Sequence, residues 1–255
     1  MTSSHSNTSM RVMPREMRLM SERIFSLTSL PKGFFLTVGD FPMYSQKLGL
    51  GGFALFEERF ESFKYADPAR ISIAAEDGNR VSLDAAGEHA WFVVPTAIDL
   101  LGELARRFGS AELTVASAAD SAELAIAASL GGRTGLQITV AGNVLKAAPA
   151  AVTGDVRKDD PLLWSLLENG ADIEADLWWR IYHLAKQALA TDSVVSRRHA
   201  GPMIINEDGT IIGRKDNDDE TDVSFLASRL SEREQAQPEK AQPQKAQPQK
   251  ESARS

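Results

Sequence analysis

A chain of 255 residues, 43% hydrophobic and 25% charged, is long enough to bury a sizeable core and too apolar for wholesale disorder. The absence of cysteine excludes disulfides, thiolate metal sites, iron–sulfur clusters and a cysteine nucleophile. The net charge is −7, and the residues after Leu230 carry five basic and four acidic side chains, so the remainder stands near −8 and repels phosphate backbones.

Residues 1–12 read as a disordered polar leader, with Met10 and Met13 as alternative starts. They lack the apolar stretch of about 7–15 residues that a secretory signal needs. No run approaches the ~18 apolar residues of a membrane span. A cytoplasmic location follows as the expectation, with neither membrane nor nucleic acid as a partner. From Pro14 the pattern turns helical, with Met17, Met20, Ile24 and Leu27 at spacings of three and four. Leu30-Pro31-Lys32-Gly33 breaks that helix. The apolar segment 34–48 carries a kink at Pro42, and Gly49, Gly51 and Gly52 precede another helical run over 53–63.

The period changes over 70–147. Ile71, Ile73, Val81 and Leu83 alternate around Glu76-Asp77-Gly78-Asn79, which is hairpin chemistry. Residues 91–94 read as a buried strand, followed by a helix capped by Thr96 and stopped at Gly109. Strands are expected at 113–115, 124–130 and 136–140, with Gly131-Gly132-Arg133-Thr134-Gly135 as a hairpin turn between the last two. A loose stretch near 147–154 leads to two helices. Asp160, Pro161 and Gly170 bound the first. The second runs over about 173–190, with Ile173, Leu177, Ile181, Leu184 and Ala188 as its core stripe and Asp176 paired to Arg180. Trp178 and Trp179 flank that stripe and read as packing residues. A hairpin is expected at 203–213 around Asp208-Gly209.

The fold class expected is therefore α/β of the α+β type: an N-terminal helical layer over 14–63, a mainly antiparallel central sheet, a C-terminal helix pair over 160–190 and a disordered tail. One body would span 13–214. Residues 215–255 would form an acidic linker, a short helix and a tail of three pentads, Ala-Gln-Pro-Glu-Lys and twice Ala-Gln-Pro-Gln-Lys, which have nothing to bury.

No dinucleotide fingerprint, Walker loop, nucleophile elbow or His-Glu-x-x-His motif is present. The acidic run 216–222 lacks the glycine and glutamate of a calcium loop and reads as a solvated linker. His5, His89, His183 and His199 show no ligand spacing, so no metal is expected, and the residues name no cofactor. The segment that stands out is Ser196-Arg197-Arg198-His199, a concentration of cations in an acidic chain. Its commoner reading is a solvated basic loop pairing with nearby carboxylates. Its functional reading is an anion site, with Ser196, Arg197 and Arg198 as ligand-binding residues and His199 as a general base. An anionic small metabolite is the partner that reading implies. The alternative is a non-catalytic accessory subunit that docks a protein partner, or a second copy, through apolar helices at 34–63.

The two ends of the chain resemble a proteobacterial family of unknown function. Its members end in a Trp-containing helix, a Ser-Arg segment followed by a Gly-rich stretch, and a closing Asp-Asn-Asp. Trp178, Ser196-Arg197, Ala200-Gly201 and Asp216-Asn217-Asp218 stand in those places, and the Leu30-Pro31 break followed by Gly49 to Gly52 is similar to the family's N-terminus. The middle of the chain hardly takes part, and the hairpin and pentads depart from the pattern. The resemblance implies no activity; it adds weight to the Ser-Arg segment.

Overall fold

A computed structural model describes residues 8–189 and the backbone of 203–205 and 211–213. Residues up to Leu189 form one compact unit, and the later residues belong to a second. The first unit opens with β1 (Ser9–Val12), in what reads from sequence as the leader, and α1 (Pro14–Phe25). Pro14 occupies the first turn of α1, where its missing N–H costs nothing. Met17, Met20, Ile24 and Phe25 line its buried face.

The helical layer continues with α2 (Lys32–Val38), α3 (Phe41–Leu48) and α4 (Gly52–Phe63). Pro42 does not kink a helix; it lies in the first turn of α3, which ends at Gly49 with φ 70°. Phe53, Phe56, Phe60 and Phe63 recur along α4 and are buried. The Phe56 ring lies 4.6 Å from Phe25 and 5.7 Å from Trp91.

The sheet contains β2 (Ser72–Asp77) and β3 (Arg80–Asp84), joined at Gly78 with φ 60°. Next comes α5 (Ala90–Phe108), which crosses to β4 (Ala111–Ala116). After α6 (Ile126–Gly131) follow β5 (Leu136–Ala141) and β6 (Val144–Pro149). The order is β2-β3-β4-β6-β5; β3 and β4 run parallel and the other neighbours antiparallel. Alternate residues of β3 to β6 are buried, among them Leu83, Leu113, Ile138 and Leu145, whereas β2 is exposed along its length.

Four sequence expectations are corrected in this region. Residues 91–94 are the first turns of α5, not a strand, and its cap is His89 instead of Thr96. Four apolar residues before a proline show no period that separates a buried strand from a buried helix. Residues 124–130 form a 3-10 turn (Ser121–Ala125) and then α6, as suits an alanine-rich run. Gly131 to Gly135 is accordingly a helix end leading into β5; β6 runs into the start of the stretch expected to be loose, and 150–154 carries no helix or strand.

The unit closes with α7 (Val156–Asp159), α8 (Pro161–Asn169), β7 (Ala171–Glu174) and α9 (Ala175–Lys186). Asp160 caps α8 by accepting Leu163 N–H at 2.9 Å, and Gly170 follows its end, as the sequence indicates. Ile173 lies in β7 and not in the helix; it pairs with Met10 of β1. Arg180 is held by Glu57 of α4 at 2.8 and 3.0 Å, across elements instead of along its own helix. Trp178 packs edge-on against Phe53, while Trp179 is exposed. In the second unit, β8 (Met203–Ile205) and β9 (Ile211–Gly213) form the expected antiparallel hairpin. No helix among the described residues is long and apolar enough to cross a membrane.

Candidate functional site

Because β3 and β4 are parallel neighbours, the segments leaving their carboxyl ends emerge together. Crevices at such ends are where ligands bind in sheets joined by a helical crossover. The two segments are tied to one another by backbone hydrogen bonds. Ala85 N–H donates to Ala116 O at 2.9 Å, Gly87 N–H to Ser117 O at 2.9 Å, and Ala119 N–H to Glu88 O at 3.0 Å. Ala86, Ser117 and Asp120 adopt φ of 51°, 56° and 49°, the non-glycine residues with positive φ among the described residues. Left-handed backbone costs a side-chain-bearing residue on the order of 1–2 kcal/mol. All three lie in these segments.

They border a cleft of about 640 Å³ whose lining includes Arg59, Arg70, Glu88, His89, Phe92 and Asp120. His89 ends the β3–α5 connection and is 5% exposed. Its Nδ1 accepts Trp91 N–H at 3.1 Å, capping α5. A backbone amide always carries its hydrogen, so the neutral ring must hold its own proton on Nε2. That atom is buried and lies 3.4 Å from Asp120 Oδ2, yet forms no hydrogen bond. An unsatisfied buried donor costs about 1–3 kcal/mol. Burial pushes the His89 pKa down to about 4, opposed by the Asp120 charge and assisted by Arg59.

Arg59, from α4, grips Asp120 with both prongs of its guanidinium: Nε to Oδ2 at 2.8 Å and Nη2 to Oδ1 at 3.1 Å. This hydrogen bonding holds the Asp120 carboxyl below its usual range. Arg70 donates from Nη1 to Glu88 at 3.2 Å and from Nη2 to Ala86 O at 2.9 Å. Tyr65, 82% exposed, also lines it. Cation and carboxylate are thus matched within the cleft of a chain that is acidic as a whole.

Two other buried carboxylates are structural. Glu123 accepts from Ser45 Oγ at 3.0 Å, Gly51 N–H at 2.9 Å and Trp91 Nε1 at 2.9 Å, fastening the segment after Asp120 to α5 and to the α3–α4 junction. Asp160 is bonded by the Tyr44 hydroxyl and Leu163 N–H and lies 3.2 Å from Arg133 Nε. Burial and the hydrogen bond to Asp160 push the Tyr44 pKa up. Among the described residues no group of three or more His, Asp or Glu is placed to hold a metal.

Ser196, Arg197, Arg198 and His199 lie outside the described residues. Arg59, Arg70 and Asp120 carry no motif in the sequence, and His89 shows no ligand spacing there. One signal was available: Asp84-Ala85-Ala86-Gly87-Glu88-His89 follows a strand and enters a helix. It is hidden once 91–94 is taken for a strand, because His89 then caps nothing.

No protein-family model and no curated protein matches the chain. Solved structures with partial likeness include malate dehydrogenase from Entamoeba histolytica, at 15% identity and a TM-score of 0.40 over 51% of this chain and 38% of that one. Sulfolactate dehydrogenase from Methanocaldococcus jannaschii matches at 16% and 0.37, over 42% and 32%. Malate dehydrogenase from Pyrococcus horikoshii OT3 matches at 13% and 0.41, over 52% and 40%. The chain thus covers less than half the length of each of these proteins.

Proposed function

We propose that this protein binds a small anionic metabolite in the cleft at the carboxyl ends of β3 and β4. The observation that carries the reading is that two arginines line the same cleft as a buried histidine whose Nε2 has no hydrogen-bond partner. Guanidinium forks suit carboxylate and phosphate alike, and the exposed Tyr65 ring supplies apolar wall for the rest of a ligand.

The test is thermal stabilisation by a panel of small carboxylates and phosphate at constant ionic strength, each variant read against its own baseline. Arg70→Gln keeps a hydrogen-bond donor for Glu88 and removes the charge; it is expected to weaken anion binding by about ten-fold. An unchanged response would reject the cleft. The double variant Arg197→Ala/Arg198→Ala in the same panel tests the Ser196–His199 segment, whose assignment as ligand-binding residues, with His199 as base, stands as a proposal.

The alternative, an accessory subunit docking through apolar helices at 34–63, stands as a second proposal: Phe41, Phe53, Phe56, Phe60 and Phe63 are buried in the core, whereas Leu36 and Leu48 are exposed.

A further inference from the structure

Within the proposed anion site, the Asp120–His89 geometry is unsatisfied in one specific way. Asp120 Oδ2 faces His89 Nε2 and stops at 3.4 Å, without accepting its hydrogen. The carboxylate is held back at both ends. Arg59 grips its two oxygens, and its short side chain is rooted in a left-handed backbone. It stands beside the buried Nε2 but does not satisfy it. A carboxylate free of that tether can keep the Arg59 fork and still accept Nε2–H at the 2.7–2.9 Å or so of a charge-assisted bond.

We infer that Asp120 occupies the place of a ligand carboxylate, and that the ligand is a compact carboxylate which displaces Asp120 from Arg59 and accepts the His89 Nε2 hydrogen. This rests on the anion-binding reading above and narrows it. His89 is then a specificity-determining donor. With Nδ1 committed to Trp91 N–H, the neutral ring offers a hydrogen and has no free lone pair, so it selects an acceptor oxygen and rejects an ammonium or amide N–H at that point. The other charges beside it are Glu88 and Arg70, paired to each other at 3.2 Å, so that Arg70 adds its charge to the cleft without changing partner. Glu123, bonded to the Trp91 indole, is likewise fully engaged.

The experiment uses the full chain, malonate and inorganic phosphate as probes, calorimetry for affinity and 15N-detected NMR of the imidazole. The His89 resonances, assigned by their loss in His89→Asn, should show the Nε2–H tautomer at pH 7, and malonate should shift Nε2 more than phosphate does. Removing the internal competitor by Asp120→Asn should tighten malonate binding by about ten-fold, whereas a merely structural Asp120 would give no gain. Asp120→Gly takes the same backbone without strain and repeats the test if the asparagine variant does not fold. Malonate affinity unchanged or weakened in a folded Asp120 variant, or an Nδ1–H tautomer, overturns the inference while leaving anion binding in place. Phosphate binding more tightly than malonate overturns the carboxylate assignment. If neither probe binds to the wild-type protein or to any variant, the anion site itself fails.

Discussion

Charging His89 means placing a hydrogen on Nδ1, where Trp91 N–H already points, so the imidazolium and the capped α5 exclude one another. Burial adds to the cost, and the pKa falls from 6.5 in the unfolded chain to about 4. As pH drops below 6.5 the unfolded chain takes up a proton that the folded chain refuses until about pH 4. The stability associated with His89 is therefore complete above pH 6.5 and declines through this window, a loss on the order of 3 kcal/mol by pH 4. The half-buried Asp40 carboxyl, pushed up by desolvation, works in the opposite sense and offsets part of the decline. His89→Asn keeps an acceptor for the cap and removes the titration. Denaturant midpoints measured from pH 7 to pH 4 should fall less steeply in that variant than in the wild type. Parallel slopes would show that the ring is not shielded as described.

At the scale of elements, the turn that follows α6 packs against the end of α7 with no room for a side chain. A Cβ at Gly132 would overlap the Asp159 carbonyl oxygen, a backbone atom that cannot swing aside. Gly132→Ala should therefore cost about 1–3 kcal/mol, read as a lowered melting temperature, although helix propensity alone favours alanine. A gain in stability would mean that the 3-10 turn and α7 are not packed this closely. Gly132 also shows where sequence reading succeeds and where it stops. α1, α8 and the β2–β3 turn were legible because Pro14, Asp160 with Pro161, and Gly78 act through neighbours within one turn of chain. The start of α5 was not, because its cap is a histidine and its first turns are uniformly apolar. β1 and β7 were missed for a different reason: each is four residues long and is a strand only because the other is there. The cleft shares that property. Arg59 and Asp120 are 61 positions apart, and no local pattern announces that they meet.

At the scale of the molecule, the core formed by the described residues lies in the first unit. Phe25, Phe53, Phe56, Phe63, Trp91 and Phe92 are all buried there, and the sheet packs on the same cluster. The pentads at 236–250 contain no large apolar side chain to add to it. Deleting 231–255 is expected to leave both the melting temperature and malonate binding unchanged. A fall in either would give those residues a part in the fold or the site.

The pairing of β1 with β7 has a consequence for the order in which the protein can be made. Arg11 and Asp172 are 161 positions apart, and Ala175 N–H closes the ribbon on Thr8 O at 2.8 Å. During synthesis residues 9–12 leave the ribosome 161 positions ahead of their partner, so over that interval their backbone groups have no β7 to pair with and stay open to a wrong neighbour. Codons up to 174 set the earliest moment at which that edge can be covered, and a stalled ribosome upstream of 171 would hold a nascent chain with its first strand still open.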